Sequence, residues 1–352
     1  MPSKPLVSVI LPVYNGRQVL AEAIDSVLNQ THRNLELVIV DDGSSDGSIE
    51  LLDHYQRADS RVVVHLHAVN KGITASLNDL ARAARGDFVT VMNQDDVSVP
   101  DRVERQVAYL ETHEDVGAVG SAARIIDESG APLRIKRYPT RAGLTAWSLF
   151  FFNSLLHPST TIRRTALESV GYYPPGYGGG TEDYALWVRL SRATSIANVP
   201  DVLLHYRVWG SNVTKAAWQT QESEATRIVC EHASELLGRP VTRDQAEALR
   251  GLSTDRYPEA VDAIEELAML IEGLREAFLR RRRIAAADAR AVNRDAGVRL
   301  WLLAVLASRR SPRVASALAA AAARASPPSV LTFAGKAARR LTSGLSKRLA
   351  RR

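Results

Sequence analysis

Cysteine is almost absent from this chain. Cys230 is the only one among 352 residues, so no disulfide can form within it. Such cysteine usage is typical of a reducing compartment. Long apolar runs are also absent, because none reaches the roughly 20 residues of a membrane-spanning helix. The N-terminus has no hydrophobic segment of signal-peptide length. These absences predict a cytoplasmic protein.

Acidic residues are absent after Asp295, whereas 12 of the 45 basic residues lie in that last segment. The preceding part holds the other 33 basic residues and all 39 acidic residues, a formal charge of −6. The overall charge of +6 is therefore a property of the C-terminal segment. A mildly acidic body argues against a nucleic-acid-binding core.

Short apolar runs alternate with helical spacing over about the first 115 residues. The runs Val7–Leu11, Leu35–Val40, Arg61–Leu66 and Phe88–Met92 predict strands, with helices between them. This alternation indicates an α/β fold with a doubly wound, mostly parallel, Rossmann-like sheet. The carboxyl ends of the strands then meet at one edge, where open sheets of this class bind ligands.

The pattern changes after residue 116. We expect a strand at Val116–Gly120, a hairpin turning at Asp127–Gly130, a helix at Ala142–Phe152 and a strand at Val202–Val208. From about Lys215 the sequence is helical and rich in alanine, glutamate and arginine. The chain contains no internal repeats.

Adjacent carboxylates follow two of the predicted strands, as Asp41-Asp42 and as Asp95-Asp96. Aspartate is a poor strand residue and is costly to bury without a partner. A pair of carboxylates at a strand end therefore suggests a hard cation, Mg²⁺ or Mn²⁺, that bridges to phosphate oxygens. A turn followed by a helix N-cap is the ordinary alternative at both places.

A nucleoside diphosphate at this edge needs a flat surface, hydrogen-bond acceptors and a cation. Tyr14 offers the flat surface, Asp42 an acceptor for the base and Asp95 an acceptor for the ribose, while Asp96 holds the cation. The predicted nucleotide contacts are Pro12, Val13, Tyr14, Asn15, Asp42, Lys71, Gly72 and Asp95. Strand-end packing by Tyr14 and a solvated turn at Lys71 are the alternatives.

Glu182-Asp183 follow a glycine-rich loop and begin a predicted helix. Asp183 with a raised pKa is a candidate general base, although acidic residues also favour a helix start electrostatically. We expect Glu182, Trp187 and His157 on the acceptor side of the same site. Packing in the core is the alternative for both aromatic side chains.

The motifs together resemble the family 2 glycosyltransferases, an inverting group with the GT-A fold. The resemblance covers roughly residues 5–215 and is carried by six motifs in order. They are Val7–Asn15, Val38–Asp46, Asn70–Gly72, Asn93–Asp96, His157–Ser159 and Glu182–Trp187.

This resemblance implies transfer of a sugar from a nucleoside diphosphate, with Asp42 contacting uracil or thymine and Asp183 as the base. It also places the metal-binding motif over Asn93–Asp96, with Asp96 as the metal ligand. Many members have aspartate where this chain has Asn93, so Asn93 is not offered as an anionic ligand.

The predicted organisation is a GT-A domain at 1–214, with a nucleotide-sugar half at about 1–115 and an acceptor half at about 116–214. A helical extension at 215–296 and a basic amphipathic tail at 297–352 follow. The partners implied are a nucleotide-sugar donor and a saccharide or lipid-linked acceptor in bacterial cell-surface polysaccharide synthesis, with no nucleic acid.

The tail predicts peripheral binding to an anionic membrane on the cytoplasmic face, with a solvated or disordered segment as the alternative. Rival functions for the whole chain are a nucleotidyltransferase and a catalytically inactive binding module for sugar nucleotides or glycans. Nucleic-acid binding through the tail is a third. The phosphate-loop position reads Pro12–Arg17, which lacks the glycine- and lysine-rich loop typical of nucleotidyltransferases.

Overall fold

One sheet carries the strands of the first part of the chain. The structure is a computed structural model that describes residues 4–177, 179–209, 213–281 and 284–326. Within these ranges the strands are β1 (Val7–Val13), β2 (Leu35–Asp41), β3 (Val62–Leu66), β4 (Phe88–Val91), β5 (Val97–Ser98), β6 (Val116–Ile126), β7 (Pro132–Lys136), β8 (Thr161–Arg163) and β9 (Ser195–Arg207). Their order is β3-β2-β1-β4-β8-β6-β9-β5, and β7 pairs with β6.

Helices connect the strands and continue to the end of the described residues. They are α1 (Leu20–Leu28), α2 (Ser48–Ala58), α3 (Ile73–Ala83), α4 (Arg102–Thr112), α5 (Ala142–Ser148), α6 (Arg164–Ser169), α7 (Glu182–Ala193), α8 (Val213–Leu237), α9 (Arg243–Gly251), α10 (Val261–Arg281), α11 (Ala286–Ala307) and α12 (Pro312–Ala325). A single 3₁₀ turn, His157–Ser159, precedes β8.

The sheet positions the site through a reversal of strand order at β1. Strands β2 and β4 both pair with β1 in parallel, and β3 continues beyond β2. All residues of β1 and β2 are buried, as expected for central parallel strands with helices on both faces. The crevice at the carboxyl ends of β1 and β4 is therefore the expected ligand position.

The predicted α/β class and the parallel strands β1 to β4 are confirmed. The strand predicted at Val116–Gly120 is the first part of β6, which runs unbroken to Ile126, and the hairpin predicted to turn at Asp127–Gly130 connects β6 with β7. Helix α5 ends at Ser148 rather than Phe152, and β9 begins seven residues before the predicted strand. Helix α6 and the short strand β5 were not predicted.

Contacts divide the chain into two compact units. The first contains the sheet and comprises residues up to 149 and 153–225, and the second comprises 150–152 and the residues from 226 onward. The boundary predicted after residue 214 lies inside α8. In the second unit Phe150 stacks on His232 with ring centroids 4.2 Å apart, and the Arg299 guanidinium lies 3.5 Å from the Phe151 ring centroid.

None of the helices in the described residues combines the length and the apolar composition that crossing a bilayer requires. The last part of the predicted basic tail, residues 327–352, lies outside the described residues. Its predicted amphipathic character therefore stays a prediction.

Candidate active site

A cleft of about 680 Å³ lies at the carboxyl ends of β1, β2 and β4. Its walls contain most of the predicted site residues, namely Pro12, Val13, Tyr14, Asp42, Gly72, Asp95, His157, Glu182 and Asp183. The residues come from both predicted halves of the first unit. The fold thus gathers in one place side chains that are up to 171 positions apart in the sequence.

Asp42 follows β2 and is held rigidly by the loop after β3. Its Oδ1 accepts hydrogen bonds from the Lys71 N–H at 2.8 Å and from His67 Nδ1 at 2.7 Å, and its Oδ2 accepts one from the Gly72 N–H at 2.9 Å. Burial opposes ionisation, but these hydrogen bonds outweigh it and lower the pKa of Asp42. The anion keeps acceptor capacity at Oδ2, on the wall of the cleft.

Tyr14 lines the same cleft and is 49% exposed. Its main chain is fixed by Gln94, whose Oε1 accepts from the Tyr14 N–H at 2.8 Å and whose Nε2 donates to the Tyr14 carbonyl at 3.1 Å. One amide therefore joins the chain segments that follow β1 and β4. The exposed ring is free to stack on a planar base.

Asn15 adopts φ of 50°, a left-handed conformation that asparagine tolerates better than most residues. Its N–H donates to Ser44 Oγ and its Oδ1 accepts from the Ser45 N–H, both at 2.9 Å. Asn15 lines a neighbouring groove rather than the main cleft, and Asp95, Gln94 and Trp209 line that groove as well.

Asp95 and Asp96 point in different directions. Asp95 is partly exposed on the cleft wall; its Oδ2 accepts from Trp209 Nε1 at 2.8 Å, and its Oδ1 has no partner among the described residues. Asp96 is 0% exposed, does not line the cleft, and accepts from the Arg207 N–H at 2.9 Å. Burial, reinforced by repulsion from Asp95, raises the pKa of Asp96 well above its ordinary value.

Asp96 does not line the cleft, and its role as the metal ligand stays a prediction. Asp96 is enclosed near two arginines, Arg102 and Arg207, whose charges lower its pKa without cancelling the effect of burial. Asp96 Oδ2 is buried and has no hydrogen-bond partner among the described residues, so it keeps acceptor capacity for a cation. Asp95, which was predicted to contact the ribose, is the carboxylate that the cleft exposes.

Arg207 fixes the segment that carries both aspartates. Its Nε donates to the Asp95 carbonyl at 2.9 Å, its Nη1 donates to the Glu128 carbonyl at 3.0 Å, and its Nη2 pairs with Glu22. The side chain is nearly fully buried. It therefore joins the end of β4 to α1 and to the hairpin that connects β6 with β7.

Asp183 lies at the start of α7 and is 9% exposed. Its Oδ2 accepts from Asn153 Nδ2 at 2.8 Å, and its Oδ1 accepts from the Tyr184 N–H at 2.6 Å. Burial, together with repulsion from Glu182, raises the pKa of Asp183 to about 7 despite these hydrogen bonds. Burial also raises the pKa of Glu182. The carboxyl group of Asp183 is thus suited to exchange a proton near neutral pH.

His157 also lines the cleft, where its Nε2 shares a hydrogen bond of 2.8 Å with the Tyr173 hydroxyl. Burial lowers the pKa of His157 to about 3, so the ring is neutral at physiological pH. The Tyr173 main chain is held in turn by Asn78, which accepts from its N–H at 2.9 Å and donates to its carbonyl at 3.0 Å.

Two predicted contacts do not reach the cleft. Trp187 is 0% exposed and packs in the interior, because α7 turns this position inward, so its predicted stacking on an acceptor sugar is wrong. The Lys71 side chain is absent from the cleft wall and lies 3.6 Å from Asp79. Lys71 contributes through its N–H, which holds Asp42.

Several residues of the site were not predicted. Gln94, Asn153, Tyr206 and Gln221 line the cleft, and Arg207 and Trp209 support it. Arg207 carried a usable signal, since a charge within the strand-like run Val202–Val208 needs a buried partner. Nothing in the sequence distinguished the amide side chains of Gln94, Asn153 and Gln221 from those of ordinary surface residues.

The family model described as Glycosyl transferase family 2 matches residues 8–176. An uncharacterized glycosyltransferase of Haemophilus influenzae is 31% identical over 242 residues, which cover 65% of this chain and 73% of that protein. The chain belongs to glycosyltransferase family 2. This glycosyltransferase is also 30% identical to the O-antigen biosynthesis glycosyltransferase WbnJ of Escherichia coli over 216 residues, 60% of this chain and 83% of that protein.

Solved structures share the fold of this glycosyltransferase. Residues 1–349 of S. aureus TarS in complex with UDP-GlcNAc superpose with a TM-score of 0.57 at 18% identity, covering 91% of this chain and 92% of that one. Mannosyltransferase PcManGT from Pyrobaculum calidifontis, in complex with GDP-Man and Mn²⁺, gives a TM-score of 0.50 at 18% identity and covers 98% and 87%. The predicted GT-A type of fold is confirmed.

Proposed function

We propose that this glycosyltransferase moves a sugar, with inversion, from a UDP- or dTDP-sugar to a hydroxyl group of a saccharide or lipid-linked saccharide. The observation that carries the proposal is the placement of Asp42, Asp95 and Asp183 on the wall of one cleft. TarS bound to UDP-GlcNAc supports a uridine donor. The similarity to WbnJ supports bacterial cell-surface polysaccharide synthesis.

The nucleotide is proposed to bind at Tyr14 and Asp42. The exposed Tyr14 ring offers a stacking surface for the base. The remaining acceptor capacity of Asp42 suits the N3–H of uracil or thymine, because three hydrogen bonds already fix the orientation of the carboxylate. Pro12 and Val13 line the cleft next to them.

The donor set at Asp95 fits Mg²⁺ or Mn²⁺. Its Oδ1 has no partner among the described residues, and carboxylate oxygens are preferred ligands of both cations. No cluster of three histidine, cysteine, aspartate or glutamate side chains occurs in the described part of the chain, so Asp95 would share the ion with phosphate oxygens and water. When bound, the cation supplies positive charge to the leaving diphosphate.

Asp183 is proposed to act as the general base. Its carboxylate takes the proton from the acceptor hydroxyl, and the oxygen attacks the anomeric carbon opposite the diphosphate. The bond between that carbon and the diphosphate oxygen breaks, so the configuration inverts. A pKa of about 7 leaves much of Asp183 ionised at neutral pH, and Asn153 orients the carboxylate.

A donor screen tests the function. UDP- and dTDP-sugars are tested for nucleotide release and for thermal stabilisation of the protein, each with Mn²⁺ and with a chelator. We expect metal-dependent release from a uridine or thymidine donor. Asp183→Asn should lower kcat by about 10²–10⁴-fold and leave the Kd for UDP unchanged. Binding without release, in any donor and acceptor mixture, would instead favour an inactive binding module.

A further inference from the structure

Strand β7 places two cations on the face of the sheet that borders the cleft. Ile125 of β6 pairs with Tyr206 on one side and with Arg134 on the other. Side chains opposite each other in neighbouring strands share a face, and residues two apart in a strand do so as well. Arg134 and Lys136 therefore share a face with Tyr206, which lines the cleft.

The charge of Lys136 interacts with that of the proposed base. Burial and repulsion by Arg134 lower the pKa of Lys136, while the Asp183 carboxylate acts in the opposite direction. The Lys136 ammonium lies 5.1 Å from the centroid of the Tyr138 ring. Burial raises the pKa of Tyr138, and Tyr206 and Asp183 add to the effect. Tyr206 and Asp183 both line the cleft, so the two cations lie on the face of the sheet that borders the proposed base.

Neither Arg134 nor Lys136 forms an ion pair within the described ranges of the chain. Every residue of β7 is exposed, although enough protein surrounds the Lys136 ammonium to lower its pKa. Two neighbouring positive charges repel each other, and each lowers the cost of holding an anion between them. An arginine fork and a lysine ammonium are also the usual ligands of carboxylate and phosphate groups.

We propose that Arg134 and Lys136 form a subsite for an anionic group of the acceptor, a carboxylate or a phosphate close to the hydroxyl that is glycosylated. This inference rests on the proposed function, because it takes the cleft as the transfer site. A uronic acid in the acceptor saccharide or a diphosphate that links the saccharide to a lipid both supply such a group.

Three probes with the same ring configuration distinguish these sources: octyl glucoside, octyl glucuronide, which has a carboxylate at C6, and glucose linked to farnesyl diphosphate. Their binding is measured by saturation-transfer NMR titration in the presence of UDP at pH 8.5, where Asp183 is ionised. The proteins are the full chain, Arg134→Gln, Lys136→Gln and the double variant. Arg124→Gln is the matched control, since Arg124 is exposed and pairs with Ile135 on the opposite face.

We expect the full chain to bind one or both anionic probes at least about tenfold more tightly than octyl glucoside. The double variant should lose this preference, whereas Arg124→Gln should keep it. Preference for the glucuronide alone assigns the subsite to a sugar carboxylate, and preference for the diphosphate alone assigns it to the linker.

Equal binding of the three probes, or an unchanged preference in the double variant, would overturn the subsite. Unaltered melting temperatures of the variants exclude misfolding as the cause of a loss. Because probe binding requires no turnover, it remains decisive even if the donor screen finds no nucleotide release. Failure of the proposed function and failure of the subsite are thus separate results.

Discussion

At the residue scale, the chemistry of the cleft depends on how burial acts on single carboxyl groups. Asp42 and Asp183 are both nearly buried, yet their pKa values move in opposite directions. Three hydrogen bonds to Asp42 outweigh its burial, whereas two hydrogen bonds to Asp183 do not outweigh its burial and the charge of Glu182. One carboxylate remains a fixed anion and the other can exchange protons.

Glu182 is expected to control the pH dependence of transfer. A base must be ionised, so activity should rise with pH through about 7, the pKa of Asp183. Glu182→Gln removes a repelling charge and should move this rise to lower pH. The measurement is kcat/KM for the acceptor between pH 5 and 9. If the rise of kcat/KM in the variant occurred at the same or a higher pH, it would contradict the assignment of Asp183 as the titrating base.

Asp95 and Asp96 give a matched pair of substitutions. Asp95→Asn should weaken Mn²⁺-dependent UDP binding by about tenfold or more, because the exposed anionic ligand is lost. Asp96→Asn should change it by less than about twofold, since the amide oxygen can still accept from the Arg207 N–H. Calorimetry with and without Mn²⁺ measures both. The reverse order of effects would return the cation to Asp96.

The sequence motifs identified Asp42 and Asp183, because each follows a predicted strand or opens a predicted helix. They assigned Asp95 to the ribose and Asp96 to the cation, but did not predict that only Asp95 lines the cleft. Asp95 lies in a turn between β4 and β5, where the alternation of the preceding strand no longer predicts which side chain faces the ligand. The same ambiguity explains Trp187, whose helical position was predicted without the direction in which the helix turns it.

At the element scale, the carboxyl ends of β1 and β4 act together because of Gln94. Its side chain makes two hydrogen bonds to the Tyr14 main chain and thereby sets the position of the stacking ring. The small size of Gly16 permits this contact, since a Cβ there would lie 2.6 Å from Gln94 Oε1. Nucleotide affinity should therefore depend on Gln94, because its side chain holds the main chain of Tyr14.

Gln94→Ala should raise the Kd for UDP about three- to tenfold, the usual worth of one or two hydrogen bonds. A double-mutant cycle with Tyr14→Ala, measured by calorimetry, tests the mechanism. Since Gln94 acts through Tyr14, the effect of Gln94→Ala should largely vanish once the ring is removed. Additive effects would show that Gln94 contacts the nucleotide independently.

The parallel half of the sheet was predictable because its strands are continuous apolar runs. The full lengths of β6 and β9 were not, because glycine and proline interrupt their hydrophobic patterns and only one part of each strand was predicted. Gly120 is required by packing: a Cβ there would lie 2.3 Å from Asn198 Oδ1 in the neighbouring strand. A glycine that permits close approach of two strands has the same local signature as a glycine that ends one.

At the scale of the whole molecule, charge is divided between an acidic body and a basic end. Residues 329–352 contain seven basic residues and no acidic one. Each basic residue near an anionic membrane surface contributes about 1 kcal/mol of electrostatic attraction. Binding of this segment to the membrane would bring the enzyme close to a membrane-held acceptor. Peripheral membrane binding of the tail thus stays a proposal that sequence alone supports.

Vesicle flotation tests the tail. The full chain should float with vesicles that contain anionic phosphatidylglycerol and should stay at the bottom of the gradient when the vesicles are neutral. A chain ending at Ser326 should stay at the bottom with either kind of vesicle. Rising salt should release the full chain, because the attraction is screened. Equal flotation of the two chains would remove the membrane proposal. Tight, salt-sensitive DNA binding by the full chain would favour nucleic acid instead.

Arg207 has a consequence for redesign of acceptor choice. Its side chain connects the turn between β6 and β7 with the segment that carries Asp95 and with α1. Grafting a longer or shorter turn at this hairpin would disturb the donor end of the enzyme as well. Specificity is therefore better altered through side chains of β7, with the backbone of the turn left intact.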